Sequence, residues 1–231
     1  MKSTALTESI TQLTRFGIVN VYLVREPDGL TLVDTGVSTS ADGIIAAAAE
    51  LGTPIVRIAL THGHSDHVGS LDALAAKLGP DVEVLAPARD AKLMAGDKQL
   101  SADEAARGKL KGGWPKLKTK PSVLLGPGDR IGSLEVVASP GHTPGHVAFL
   151  DSRDQSLICG DAFHTLGGTT VSGKLNWRFP LPAIATWSPE LALESARALA
   201  ALEPALLAPG HGKGLPAPGP EIAAAIADAS S

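Results

Sequence analysis

The sequence predicts an α/β fold: two mixed β-sheets with helices packed outside them, in a single domain over 1–231. Three observations carry this expectation. Runs rich in β-branched residues alternate with segments of helical period through the first half of the chain. Short strands divided by Gly, Pro and Asp turns then occupy 122–159, and two more helical segments close the chain. Hydrophobic residues make up 44% and charged residues 19% of the 231 residues, which is enough apolar material for one large core, and no break in composition marks a boundary.

Residues 17–25, GIVNVYLVR, read as a strand, and Pro27-Asp28-Gly29 turns the chain into a second strand at 30–33 that ends at Asp34-Thr35-Gly36. A helix over 41–51 places Ile44, Ile45, Ala48 and Leu51 on one face and stops at Gly52. A buried strand at 55–60 precedes a helix over 68–78, which Gly79-Pro80 closes. A strand at 82–86 leads to a helix from about Pro87. The stretch 96–121 changes character: it carries Lys98, Lys109, Lys111, Lys116, Lys118 and Lys120 and reads as a short helix at 101–107 followed by an irregular loop. Strands at 122–125, 129–131, 134–138, 146–150 and 156–159 suggest one antiparallel run. A second irregular stretch fills 163–187. Ser188 caps a helix with Pro189 at its first position, running to Leu202. A strand at 205–208 and a helix at 222–229 complete the order.

Composition removes several classes. Lys+Arg 20 against Asp+Glu 24 disfavours a broad nucleic-acid surface. One cysteine, Cys159, excludes an internal disulfide and a Cys-rich zinc site. No apolar run reaches the roughly 18 residues of a membrane span, and the start, MKSTALTESITQLTRF, lacks a signal-peptide core, so a cytoplasmic protein is expected. Seven histidines stand out against that background. Any metal chemistry must use nitrogen and oxygen ligands.

The strand at 55–60 runs into Thr61-His62-Gly63-His64-Ser65-Asp66-His67, three imidazoles and a carboxylate within six residues. Alternation points His62 and His64 the same way, and Gly63 is expected to let the backbone bend close to a metal. His142 follows the strand at 134–138, Asp161 follows 156–159, and His211 follows 205–208, each in a turn rich in Gly or Pro. Zinc takes imidazole and carboxylate ligands, and seven such side chains exceed the four of a closed structural site.

In these residues the chain resembles the metallo-β-lactamase superfamily, from Val33-Asp34-Thr35-Gly36 through to His211. The resemblance implies a four-layer αβ/βα sandwich with a metal site at one edge. It implies that His62, His64 and His142 bind one metal, that Asp66, His67 and His211 bind the other, and that Asp161 bridges them. Two divalent ions so placed hold a water and lower its pKa from 15.7 toward about 7. Zinc is the first expectation, with iron or manganese as alternatives. Asp66 is expected to ligate and to hold the nucleophile's proton. Asp34 is expected to accept a hydrogen bond from a ligand imidazole, and His146 to be a hydrogen-bonded imidazole beside the site. His164 stands where the homoserine-lactone lactonases of the superfamily carry a substrate-contacting tyrosine, and could donate to a developing oxyanion.

The superfamily's true β-lactamases carry Cys or Ser in place of the bridging aspartate, so Asp161 points instead to lactonases, hydroxyacylglutathione hydrolases and related esterases. The tail after His211 is short and nearly devoid of the basic and aromatic residues that grip glutathione. Trp114 and Leu117 from one irregular stretch, with Leu166, Trp177 and Phe179 from the other, are expected to form an apolar substrate wall; a homodimer interface is their other use. The expected activity is hydrolysis of an ester, lactone or thioester of a small, partly apolar molecule. The alternatives are a mononuclear iron persulfide dioxygenase, a phosphodiesterase or nuclease using the lysine loop, and a promiscuous β-lactamase.

Overall fold

The apolar alternation of the first third becomes a seven-stranded mixed sheet in the computed structural model, which describes residues 1–231. The chain divides into two compact units, Met1–Gly96 with Gly113–Leu125 and Asp97–Gly112 with Gly126–Ser231. In the first unit β1 (Lys2–Ala5), β2 (Ile10–Arg15), β3 (Val19–Glu26) and β4 (Gly29–Val33) form an antiparallel meander. β5 (Ile55–Ala59), β6 (Glu83–Pro87) and β7 (Val123–Leu125) then add in parallel. Parallel neighbours need crossovers, which α1 (Ala41–Glu50), α2 (Ser65–Val68), α3 (Leu71–Leu78) and α4 (Ala88–Met94) supply. Ile44, Leu71 and Leu74 from the helices close a core with Leu23, Leu32 and Ile58 from the sheet.

In the second unit α5 (Ala102–Arg107) begins with a capping box between Ser101 and Glu104. β8 (Arg130–Ile131), β9 (Leu134–Ala138), β10 (Val147–Asp151) and β11 (Ser156–Gly160) run antiparallel. A short hairpin, β12 (Phe163–His164) with β13 (Thr170–Val171), follows, then α6 (Leu181–Ala185) and α7 (Pro189–Ala200). β14 (Leu206–Pro209) joins β11 in parallel, β15 (Leu215–Pro216) pairs with β14, and α8 (Gly219–Ala229) ends the chain. Leu157, Phe163, Val171, Leu199, Leu207 and Ile222 share one buried cluster. No helix is long and apolar enough to cross a membrane.

Several elements differ from the sequence expectation. β1 and β2 were not expected; KSTA and ITQLTR carry no clean apolar alternation, and pairing of β2 with β3 and of β1 with β2 makes them strands. The helix expected over 68–78 starts at Ser65 and breaks after Val68. A side chain at Gly69 would meet the Ser65 carbonyl and the Ser38 amide, so neighbouring backbone passes there too closely for any residue with a Cβ. β7, expected in the antiparallel run, pairs in parallel with β6. The irregular stretch 163–187 contains β12, β13 and α6.

The helix from Ser188 forms as expected, with the Ser188 side chain accepting from the Leu191 amide. The β9–β10 loop seats on this helix start. The Ser188 amide donates to the Gly141 carbonyl at 2.9 Å, the Trp187 amide to the His142 carbonyl at 3.0 Å, and Ser195 Oγ to the Pro140 carbonyl at 2.6 Å. Gly141 has φ +137°, and a Cβ there would lie 2.2 Å from the Ala192 nitrogen. Gly141→Ala is expected to cost about 3 kcal/mol, from backbone strain and overlap together, in urea denaturation. A loss under about 1 kcal/mol would show that this seat is not rigid.

Candidate metal centre

Parallel pairing of β4 with β5 opposes Val33 to Ala59, and the Asp34 amide donates to the Ala59 carbonyl at 2.9 Å. The C-terminal ends of both strands therefore deliver Asp34 and the 61–67 segment side by side. His64 is the N-cap residue of α2, which puts Asp66 and His67 in the helix's first turn. His62, His64 and His67 are buried, and Asp66 is half-buried. The His62 ring centroid lies 4.9 Å from that of His64 and 4.1 Å from that of His67. His62 and His64 bring ligand atoms within 4.8 Å of each other, as do Asp66 and His67.

One carboxylate orients two of these rings. Asp34 Oδ1 accepts the Thr61 amide at 2.8 Å, and Oδ2 accepts Thr61 Oγ1 at 2.7 Å and His67 Nδ1 at 2.8 Å. The single Thr61 hydroxyl proton is thus spent on Asp34. At its 3.0 Å contact with His62 Nδ1, Thr61 Oγ1 can only accept. Both His62 and His67 therefore carry their proton on Nδ1 and the lone pair on Nε2, the atom a metal would take. Asp34 does this from a left-handed backbone, φ 61°, strained for a residue with a side chain.

Gly63 serves a purpose other than the expected bend. A Cβ there would lie 2.6 Å from the Trp114 ring and 2.9 Å from Met94 Cγ, so its absence makes room for the indole. Trp114 meets His64 edge-on at 5.0 Å between ring centroids. Its segment is pinned because the Asp72 carboxylate accepts the amides of Lys118 and Thr119. Burial pushes the Asp72 carboxyl up, but the donated amides outweigh it and hold it below the ordinary carboxylate value. The Gly63 amide in turn donates to Asp90 Oδ2 at 2.9 Å.

In the second unit, β11 and β14 run in parallel with Gly160 opposite Pro209, and the Gly210 amide donates to the Gly160 carbonyl at 2.7 Å. This sets Asp161 beside His211. Asp161 Oδ2 lies 3.2 Å from His211 Nε2 and 3.4 Å from His142 Nε2, so one carboxylate oxygen faces two imidazoles from separate loops. His146 does not present Nε2 to that oxygen. Its Nε2 accepts the Asp161 amide at 3.0 Å, and its Nδ1 lies 2.8 Å from Ser139 Oγ.

His164 is buried, and neither ring nitrogen meets a partner at hydrogen-bond geometry. Burial pushes its imidazole below the usual value, against smaller opposing pulls from Asp161 and the Leu166 backbone, which favours the neutral ring. The Phe179 ring lies 5.6 Å from His164 and 5.1 Å from His211. Leu117 packs on the core of the first unit, Leu166 is half-buried, and Trp177 is 85% exposed. Cys159 is buried in the second core with its thiol pushed up by burial, and supplies no thiolate.

Thr61, Asp72, Asp90 and Ser139 were missed in the sequence. Only Thr61, adjacent to the first histidine, carried a positional signal.

The metallo-beta-lactamase superfamily profile matches residues 14–211. The chain belongs to that superfamily, and its mixed sheets flanked by helices are those of the fold. It is 48% identical over 223 residues to the uncharacterized protein YobT of Bacillus subtilis (strain 168), covering 95% of each chain. It is 31% identical over 215 residues to the probable metallo-hydrolase YflN of the same organism, covering 84% of this chain and 81% of the relative. Among solved structures, TTHA1623 in a di-iron-bound form is 28% identical with a TM-score of 0.66, over 90% of this chain and 94% of that one. Membership and the His/Asp donors together imply divalent metal ions and the reaction class of a metal-dependent hydrolase.

Asp34→Ala removes the acceptor of the Thr61 amide, the Thr61 hydroxyl and His67 Nδ1 together. It is expected to cost about 2–4 kcal/mol in chemical denaturation, the cost of buried donors left without a charged partner. Asp34→Ala within 0.5 kcal/mol of the parent would mean that this carboxylate does not organise the loop.

Proposed function

We propose that this protein hydrolyses an ester, lactone or thioester bond of a small, partly apolar molecule at a centre of two divalent ions. In this reading His62, His64 and His142 hold one ion, Asp66, His67 and His211 hold the other, and Asp161 serves both. The observation that carries the reading is Asp161 Oδ2, which faces Nε2 of both His142 and His211, the arrangement a shared carboxylate ligand requires. A single domain over 1–231 belongs to the same proposal, since the superfamily profile runs through both units.

The donors fit such ions. They are imidazole nitrogens and carboxylate oxygens throughout, which zinc, iron and manganese all accept, with zinc first. When bound, two such ions would polarise a carbonyl oxygen and acidify a water. The chain's own residues do the rest. Asp34 and Thr61 hold His62 and His67 in the ligating tautomer. Asp66, half-buried beside His67, would take up the proton released from the nucleophile. His164 would donate to the developing oxyanion or to the leaving alkoxide as the bond breaks. Phe179 and Trp114 give apolar surface against which the substrate's tail excludes water.

Metal analysis of the purified chain is expected to find about two divalent ions, and a panel of lactones, aryl esters, thioesters, phosphodiesters and β-lactams to give fastest turnover on the first three. Asp66→Asn should lower kcat by about 10²–10⁴ with an unchanged circular dichroism spectrum. One iron per chain with oxygen consumption on a persulfide, and no hydrolysis across the panel, would overturn the proposal. His164→Phe keeps an aromatic ring, slightly larger, and removes the donor. It is expected to lower kcat by about tenfold or more with little change in KM, and equal kcat would remove His164 from the reaction.

A further inference from the structure

We propose that Ser172 and Thr186 fix the tautomer of His142 through a one-way chain of hydrogen bonds, and so keep its Nε2 as a metal donor; this rests on the reading that His142 holds a metal ion. Ser172 follows β13, and Thr186 ends α6. Both hydroxyls and the His142 ring are buried, so water does not complete their bonding.

Each hydroxyl has one proton to place. Thr186 Oγ1 lies 2.7 Å from the Pro182 carbonyl and 3.1 Å from the Ser172 carbonyl, both of which can only accept. Its proton goes to a carbonyl, and toward its other neighbours Thr186 Oγ1 is an acceptor. Those neighbours are Ser172 Oγ at 2.8 Å and His142 Nδ1 at 3.0 Å, while Ser172 Oγ lies 2.7 Å from His142 Nδ1. If Ser172 gave its proton to His142 Nδ1, Thr186 Oγ1 would face two lone pairs at 2.8 and 3.0 Å with no proton in either gap. If Ser172 donates to Thr186 instead, His142 Nδ1–H points at Ser172 with Thr186 Oγ1 as a longer second acceptor, and neither the 2.8 nor the 3.0 Å gap sets lone pair against lone pair.

The order is therefore His142 Nδ1–H to Ser172, Ser172 to Thr186, and Thr186 to the Pro182 carbonyl. The Nε2 atom is left with its lone pair. Ser172 Oγ at 2.7 Å from Nδ1 is a much nearer acceptor than Asp161 Oδ2 at 3.4 Å from Nε2, so the geometry favours the proton on Nδ1. The Trp187 amide, next along the chain from Thr186, fixes the His142 carbonyl at 3.0 Å, so one short segment holds both the backbone and the ring of this residue. Ser172 and Thr186 are positioning residues, acting through His142.

The test uses the full chain labelled with ¹⁵N-histidine. Imidazole ¹H–¹⁵N correlation spectra of the metal-free protein, above the titration range of histidine, report the tautomer directly. His142 is expected to carry Nδ1–H. Thr186→Val keeps the shape and removes the acceptor. It should turn the Ser172 hydroxyl onto His142 Nδ1, make Nε2–H the major form, and weaken zinc binding by about tenfold or more. Thr186→Ser should restore both readings. If Thr186→Val does not fold, Ser172→Ala serves, leaving Thr186 Oγ1 as the acceptor and the Nδ1–H form intact. An Nε2–H tautomer in the parent or in Ser172→Ala, or Thr186→Val matching the parent in tautomer and within twofold in zinc affinity, would overturn the proposal. Because the tautomer is read without metal or substrate, a chain that hydrolyses nothing on the panel but shows Nδ1–H would refute the hydrolase reading and leave this one standing.

Discussion

Parallel pairing at one strand end is the constraint on which the rest depends. In the first unit, β4 and β5 run side by side in the same direction, so Asp34 and the 61–67 segment leave the sheet together. In the second unit, β11 and β14 do the same for Asp161 and His211. Parallel neighbours cannot be joined by a tight turn, and the helical crossovers they require leave the carboxyl ends of the strands open. Side chains from distant points of the sequence gather there, as they do at the carboxyl ends of open α/β sheets generally.

What is gathered must then be aimed, and this chain aims imidazoles with groups that have few protons to give. Asp34 accepts three bonds and spends the Thr61 proton, so His62 and His67 are left as donors at Nδ1. A carbonyl plays the same part at the end of the Thr186 and Ser172 hydroxyls. His146 works in the reverse sense, accepting the Asp161 amide and so fixing the backbone of the carboxylate. In each case a buried group that can only accept, or only donate, sets the direction of the bonds behind it. Where every member of a buried polar network is bonded, its direction becomes readable from distances.

The two irregular stretches combine packing and aiming. Trp114 covers the backbone at Gly63, and Asp72 anchors the segment that carries it. Phe179 lies against His164 and His211, while Ser172 and Thr186 from the same stretch reach His142. Leu175, Trp177, Leu181 and Ile184 stay exposed between them. These stretches are thus both the apolar surroundings and the hydrogen-bonded support of the histidines.

The sequence by itself determined the alternation of strands and helices, the cap at Ser188, and the candidate donors. Each of these is local: a period of two or of 3.6, a capping side chain next to its helix, or a cluster of ligand-type residues after an apolar run. Only the tertiary structure decided the rest. β1 and β2 became strands through their neighbours, and β7 joined the other sheet because β6 offered an edge. Gly63 proved to be a space for an indole 51 positions away in the chain, by the difference between 63 and 114. Asp90 lies 27 residues from the amide it accepts, and Ser172 and Thr186 lie 30 and 44 residues from His142. A serine, a threonine or an aspartate has many uses in a chain. Its use here follows from which proton the fold places opposite it, and no local spacing encodes that.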